Sequence, residues 1–135
     1  MSHKIEAIEG IGEQYATKLQ AIGITTVENL LEQGATRAGR TQITEQTGID
    51  PARLLKWVNH ADLFRIKGVA GQFAELLEAA GVDTVKEFRN RVAENLHPKL
   101  AALNTAKKLV GRVPSMAELE DMIAIAKTLE PKVSY

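Results

Sequence analysis

The sequence predicts an all-α fold, and two observations carry the prediction. Apolar residues recur at helical spacing, and most of the ten glycines fall at short breaks between the helical segments. A share of 44% hydrophobic and 25% charged residues is the balance of a globular chain that buries a core. At 135 residues, the chain has room for one ordinary domain or for two very small ones.

Start and stop signals divide the first half of the chain into short helices. Gly23 follows an apolar segment at the position where a left-handed residue ends a helix. Thr26 is a helix cap, and Asp50 with Pro51 supplies the cap and the first residue of another helix. The predicted elements are a helix over residues 13–21, a helix after Thr26, a loop over residues 34–39, a short helix over residues 42–47 and a helix from Pro51.

An internal repeat relates the two halves of the chain. A shift of 58 residues places residues 8–30 over residues 66–88, and nine positions are then identical. Because most of them are glycines or candidate core residues, the two stretches are expected to share one backbone. Pro51 and Pro98 would both start the next helix, so the second copy lacks about eleven residues of the first. The identical pairs are Ile8 with Ile66, Gly10 with Gly68, Gln14 with Gln72, Ala16 with Ala74, Leu19 with Leu77, Ala21 with Ala79, Gly23 with Gly81, Thr26 with Thr84, and Val27 with Val85.

A final helix follows the second copy. Ser115 and Glu118 have the spacing of a capping box, and apolar residues recur from Leu119 to Leu129. We therefore expect two units, residues 1–62 and residues 63–135, of which the second carries the additional C-terminal helix.

Two glycines separated by one apolar residue precede the first helix. Gly10 and Gly12 permit a tight turn between antiparallel helices, Ile11 fills the turn, and Ala16 allows close helix approach. Residues 5–19 therefore resemble a helix-hairpin-helix motif. The resemblance covers roughly residues 5–90 and implies tandem helix-hairpin-helix units, which are helical bundles of the SAM-like type.

Longer stretches resemble known families. Residues 10–61, which include Gly23-Ile24-Thr25-Thr26-Val27-Glu28, are similar to the small N-terminal domain of the archaeal and eukaryotic recombinases. The C-terminal domain of the bacterial RNA polymerase alpha subunit shares that phrase. As a whole, the chain resembles an uncharacterised family of bacterial domains of unknown function that ends in a Val-Pro-Ser segment and a short Pro-Lys-Val tail.

The resemblance implies binding to the backbone of duplex DNA without sequence preference. In such hairpins, the free amides at the start of the second helix hold a phosphate. The candidate contacts are the two turns and the basic residues of the two units, namely Gly10, Ile11, Gly12, Lys18, Arg37, Arg40, Arg53, Lys56, Arg65, Lys67, Gly68, Val69 and Gly71.

The charge distribution limits the strength of such binding. The 17 basic and 17 acidic residues cancel, which excludes a histone-like or polybasic mode. Residues 1–34 carry a net charge of −3, and residues 35–60 carry +2. Glu13, at the start of the first hairpin's second helix, competes for the amides that a phosphate would use. In the second copy Ala70 replaces Gly12, which predicts an altered turn.

The basic segment has further interpretations. Residues 42–58 have the order of a DNA-reading helix-turn-helix, although a degenerate second hairpin explains the same turn. Residues 34–41 nearly match a phosphate-binding loop, but a helix end rather than a strand is predicted before them. Trp57, beside Leu54 and Val58, is expected to be a core residue rather than a base-stacking platform.

The sequence predicts a binding module rather than an enzyme. His3, His60 and His97 are too dispersed for a local metal motif, and the chain has no Cys, so we expect neither metal nor cofactor. We expect no signal peptide, no membrane insertion and a cytoplasmic location. The leading prediction is weak binding of duplex DNA, with no small-molecule substrate. The alternative is a protein-interaction adaptor that docks a partner through its acidic first unit or its final helix.

Overall fold

The chain folds as a series of short helices. The computed structural model describes residues 3–135, so Met1 and Ser2, which begin the segment where we expect no signal peptide, lie outside the described residues. Residues 3–135 form eight α-helices, one short 3-10 helix and no strand, which confirms the all-α prediction. The elements are the 3-10 helix (Ile5–Ala7), α1 (Glu13–Gln20), α2 (Val27–Gly34), α3 (Arg37–Thr47), α4 (Pro51–Leu63), α5 (Gly71–Ala79), α6 (Val85–Phe88), α7 (Ala93–Lys107) and α8 (Met116–Thr128).

The helices form two compact units that divide between Asp62 and Leu63. The second unit is Leu63–Pro131, and the first unit includes Lys132–Tyr135, which we call the tail segment. The sequence prediction assigned the tail segment to the second unit. It lies with the first unit because its backbone bonds there: the Ser134 amide donates to the Ala35 carbonyl at 2.8 Å.

Each unit has its own apolar core. Trp57 is buried in the first unit, as predicted, and it forms an edge-to-face pair with Tyr15 with 4.9 Å between ring centroids. In the second unit, the apolar face of α8 is buried. The fully or nearly fully buried residues of that face are Leu119, Met122, Ile123 and Ala126.

The predicted caps are present. The Thr26 hydroxyl accepts a hydrogen bond from the Asn29 amide at 3.0 Å, at the start of α2. Asp50 accepts from two amides in the first turn of α4. Ser115 and Glu118 form the reciprocal capping box of α8. Local side-chain chemistry therefore fixes where these three helices begin.

The third helix starts earlier than predicted. The sequence predicts a loop over residues 34–39, but α3 begins at Arg37 because the Thr36 hydroxyl accepts a hydrogen bond from the Gly39 amide. Gly39 is required by close packing: a Cβ there would lie 2.0 Å from the Gln33 carbonyl oxygen. Because helix α2 and not a strand precedes this stretch, it does not form a phosphate-binding loop.

Pro98 lies inside a helix instead of starting one. It is the sixth residue of α7, which begins at Ala93, whereas Pro51 is the first residue of α4. A proline there removes one amide, whose acceptor would be the carbonyl of Glu94. Glu94 is exposed, so water can replace that bond. The alignment of the two prolines is therefore wrong.

We predict that Ala16→Leu destabilises the first unit by about 1–3 kcal/mol, because added methylenes overpack a closely packed contact. Ala16 is buried in α1. Ala102, on the exposed side of α7, is the matched control, and Ala102→Leu should change the free energy of unfolding by less than about 0.5 kcal/mol. Chemical denaturation measures both; equal midpoints would mean that no other element packs against Ala16.

Candidate nucleic-acid interface

Each unit contains a turn whose backbone favours glycine. Gly10 has a φ of 94° and Gly68 a φ of 96°, in the left-handed region that other residues rarely adopt. The next residue, Ile11 or Val69, is buried under the turn. The two turns therefore have the same local backbone and the same apolar anchor.

The structure corrects the expectation that the second turn is altered. Gly12 and Ala70 both have extended backbone, with φ of −84° and −121°. A Cβ at Gly12 would meet nothing within 4 Å. Alanine therefore fits this position without changing the turn, and Gly71 becomes the first residue of α5.

The helices after these two turns, α1 and α5, begin without a side-chain cap. By contrast, threonine or serine hydroxyls cap α2, α3, α6 and α8. The first-turn N–H groups of α1 and α5 thus keep their capacity to donate to an external acceptor. The positive end of each helix dipole favours an anionic one.

Local charge distinguishes the two turns. Glu13 is the first residue of α1, and the carboxylate at this end of a helix is favourable by about 0.3–1 kcal/mol while it repels a phosphate. The equivalent first residue of α5 is Gly71, which has no charge. Lys67 is exposed just before the second turn. The second turn is therefore the more favourable of the two for an anion.

Two of the candidate DNA contacts of the first unit lie next to one aromatic ring. The Lys18 ammonium lies 5.9 Å from the centroid of the Tyr15 ring, and the Arg53 guanidinium carbon lies 5.3 Å from it. Arg53 also donates a hydrogen bond to the Tyr15 hydroxyl. Lys18 and Arg53, which are distant in sequence, therefore stand around one side chain of α1.

The other predicted cations differ in exposure. Lys56 and Arg65 are half-buried, and only part of each side chain reaches solvent. Lys67 is the more accessible cation of the second unit's turn.

The sequence analysis missed the grouping of Lys18 and Arg53 around Tyr15. Tyr15 and Arg53 are 38 residues apart, and no local spacing relates them.

Arg40 bonds to backbone carbonyls of its own unit. Its side chain is buried, and its guanidinium donates to the carbonyl oxygens of Gly34 at 2.9 Å, Ala35 at 3.1 Å and Ser134 at 2.6 Å. Arg37 lines a cavity together with Arg40. Burial argues against Arg40 as a DNA contact. Arg37 is exposed and stays a prediction, and the contacts proposed below do not include it.

The described part of the chain bears on two other expectations. Within residues 3–135, no group of three or more His, Asp or Glu side chains is placed to hold a metal ion. The helices in this range are all too short or too polar to cross a membrane.

Comparison with known proteins identifies one family. The family model described as "Domain of unknown function (DUF4332)" matches residues 9–129, which include both glycine turns and all eight α-helices. This confirms the resemblance to an uncharacterised family of domains. No curated protein and no solved structure matches the chain.

We predict opposite tolerance at the two glycines of the first turn. Gly10→Ala should cost about 1–2 kcal/mol, because of the left-handed backbone, and its Cβ would also lie 3.1 Å from the Trp57 indole nitrogen. Gly12→Ala should leave the free energy of unfolding within about 0.5 kcal/mol of the native value. Denaturant midpoints compare the two variants, and a loss at Gly12 as large as at Gly10 would contradict this account of the turn.

Proposed function

The chain belongs to the family of domains of unknown function DUF4332. Since the family description states no function, we propose one from the residues of this chain: both units bind the phosphate backbone of duplex DNA. The proposal treats each glycine turn and the helix after it as a helix-hairpin-helix element. The protein is then a non-enzymatic binding module with two such elements in tandem.

One observation carries the proposal. A left-handed glycine, a buried apolar residue and an uncapped helix occur in the same order in both units, at Gly10 with α1 and at Gly68 with α5. A helix start that lacks a side-chain cap leaves amide donors for an external anion. The two turns differ in charge but have the same backbone arrangement. This repetition supports the proposal that both turns bind the same kind of ligand.

Cations next to the turns add the long-range attraction. In the first unit these are Lys18 and Arg53, held around Tyr15, and in the second unit they are Lys67 and the half-buried Arg65. Contacts of this kind reach phosphates and not base edges, so they fix position without reading sequence. The zero net charge of the chain makes the binding weak, and the phosphates that these cations neutralise make it dependent on salt.

The adaptor alternative has less support. Under that alternative, the acidic first unit or α8 would dock a partner protein, but four apolar residues of α8 are buried, namely Leu119, Met122, Ile123 and Ala126. Among residues 3–135, the large hydrophobic residues that are exposed are Val92 and Tyr135, one in each unit. We therefore propose DNA binding and not protein docking as the function.

The salt dependence of binding tests the proposed contact set. If Lys18, Arg53, Arg65 and Lys67 each neutralise one phosphate, the slope of log K against log salt is about −3.6 on duplex DNA. Duplexes of different sequence should bind with nearly equal affinity. Fluorescence anisotropy of a labelled duplex at several salt concentrations measures the slope. No binding at about 50 mM salt, by the native protein and by Glu13→Lys, would end the DNA proposal.

Removing the acidic residue from the first turn should tighten DNA binding. Glu13→Lys frees the α1 amides and reverses a repulsive charge, so we expect about threefold to tenfold higher affinity. Glu94→Lys is the matched control, because Glu94 is an exposed acid in the first turn of α7, which also lacks a side-chain cap. Equal gains in both variants would indicate general attraction of charge rather than binding at the turn.

A further inference from the structure

The first unit contains a cavity on the side of α3 that carries its arginines. It has a volume of about 410 Å³ and lies between α3, α4 and the tail segment. Cavities of roughly 300–1,000 Å³ with a few converging polar groups are the usual size for small ligands. The side chains that decide its chemistry are Arg37, Arg40, Thr41, Thr44, Leu55 and Tyr135.

Arg40 brings a buried positive charge that no Asp or Glu side chain among residues 3–135 neutralises. Its side chain is 9% exposed, and its three hydrogen bonds go to neutral carbonyl groups. Among residues 3–135, no Asp or Glu side chain forms an ion pair with it. Those three bonds use at most three of the five N–H donors of a guanidinium. Because buried charges are normally paired, this environment favours an anion.

Arg37 adds a second positive charge to the same cavity. It lies three residues before Arg40 in α3, so both side chains project from one face of the helix. The Arg37 side chain is exposed and has no ion-pair or hydrogen-bond partner within residues 3–135. Burial, together with the charge of Arg37, lowers the pKa of Arg40, although Tyr135 opposes this change. The charge of Arg37 therefore adds to the positive potential around Arg40.

The remaining lining residues divide the cavity into a polar and an apolar part. Thr41 and Thr44 bring hydroxyl groups on the arginine side, and Leu55 with the Tyr135 ring forms apolar wall. Tyr135 is 65% exposed overall. The Arg40 guanidinium lies 5.8 Å from the centroid of its ring, and the Tyr135 hydroxyl donates to Asn59 at 3.1 Å. The aromatic wall therefore lies beside the same arginine.

One carboxylate also lines the cavity. Glu45 is eight residues after Arg37 in α3, a rise of about 12 Å along the helix axis. It forms no ion pair with either arginine within residues 3–135. The arginine end of the cavity therefore remains positive, and the Glu45 end is the less favourable one for an anion.

We propose that this cavity binds a small organic anion, with a carboxylate or phosphate group between Arg37 and Arg40 and an apolar body against Leu55 and Tyr135. The site is independent of the proposed DNA contacts, which use other residues. It differs from the sequence prediction that the protein takes no small molecule. That prediction did not foresee the cavity, because Tyr135 and Arg37 are far apart in the sequence.

Calorimetry on the full chain tests the site with four probes. Phenyl phosphate and benzoate each carry an anionic group on an aromatic ring. Benzyl alcohol has the ring without a charge, and inorganic phosphate has the charge without a ring. We expect at least one aromatic anion to bind, inorganic phosphate to bind more weakly and benzyl alcohol not to bind. The two aromatic anions distinguish a phosphate ligand from a carboxylate ligand. No binding of either aromatic anion, or equal binding of benzyl alcohol, overturns the proposal.

Two matched arginine variants separate this site from the DNA contacts. Arg37→Gln should weaken probe binding by about tenfold to a hundredfold, because it removes a charge-assisted hydrogen bond, and should leave DNA binding unchanged. Arg53→Gln makes the same exchange outside the cavity. It should weaken DNA binding and leave probe binding unchanged. Unchanged probe affinity in Arg37→Gln overturns the proposal. Displacement of the bound probe by duplex DNA also overturns it and assigns the cavity to nucleic acid.

Discussion

The left-handed backbone at Gly10 and Gly68 is the constraint on which both units depend. Each glycine lies where a Cβ would approach a core side chain, 3.1 Å from the Trp57 indole nitrogen or 3.0 Å from the Met122 methyl carbon. The turn can therefore lie directly on the core, and the following residue, Ile11 in the first unit, is buried. In both units the turn is followed directly by a helix that begins without a side-chain cap.

Arg40 has a different role, because one charged side chain adds hydrogen bonds between segments that are far apart in the sequence. It links the end of α2, through the carbonyls of Gly34 and Ala35, to Ser134 in the tail segment. An apolar residue would fill the space but would leave these carbonyls without their donor. The arrangement gives three backbone carbonyls a donor, and no Asp or Glu side chain among residues 3–135 pairs with the guanidinium.

Local patterns predicted much of the fold and less of the site. Caps such as Thr26 and the capping box at Ser115 were predictable, because a side chain and the amide it caps are three residues apart. The start of α3 was missed because glycines at 34 and 39 suggested a loop, although they serve close packing. The error at Pro98 came from extending the repeat beyond the residues that support it. The glycine turns were found, and the change to Ala70 was overinterpreted because only the first glycine needs a left-handed backbone.

The groupings that matter most for binding were beyond sequence patterns. Arg53 reaches Tyr15 across 38 residues, and Arg40 reaches Ser134 across 94. Helical spacing relates residues three or four apart, so it cannot indicate such pairs. Arg40 was therefore grouped with the surface cations, and its burial became visible only in the folded chain.

The distance between Arg40 and Ser134 along the chain also has a consequence for synthesis. Ribosomes add about 5–20 residues per second, so roughly 5–19 seconds separate the appearance of these two residues. The helices up to Asp62 can collapse during that interval, while Arg40 holds only Gly34 and Ala35. On the ribosome, we therefore expect the bond from Arg40 to Ser134 to be among the last contacts of the first unit to form.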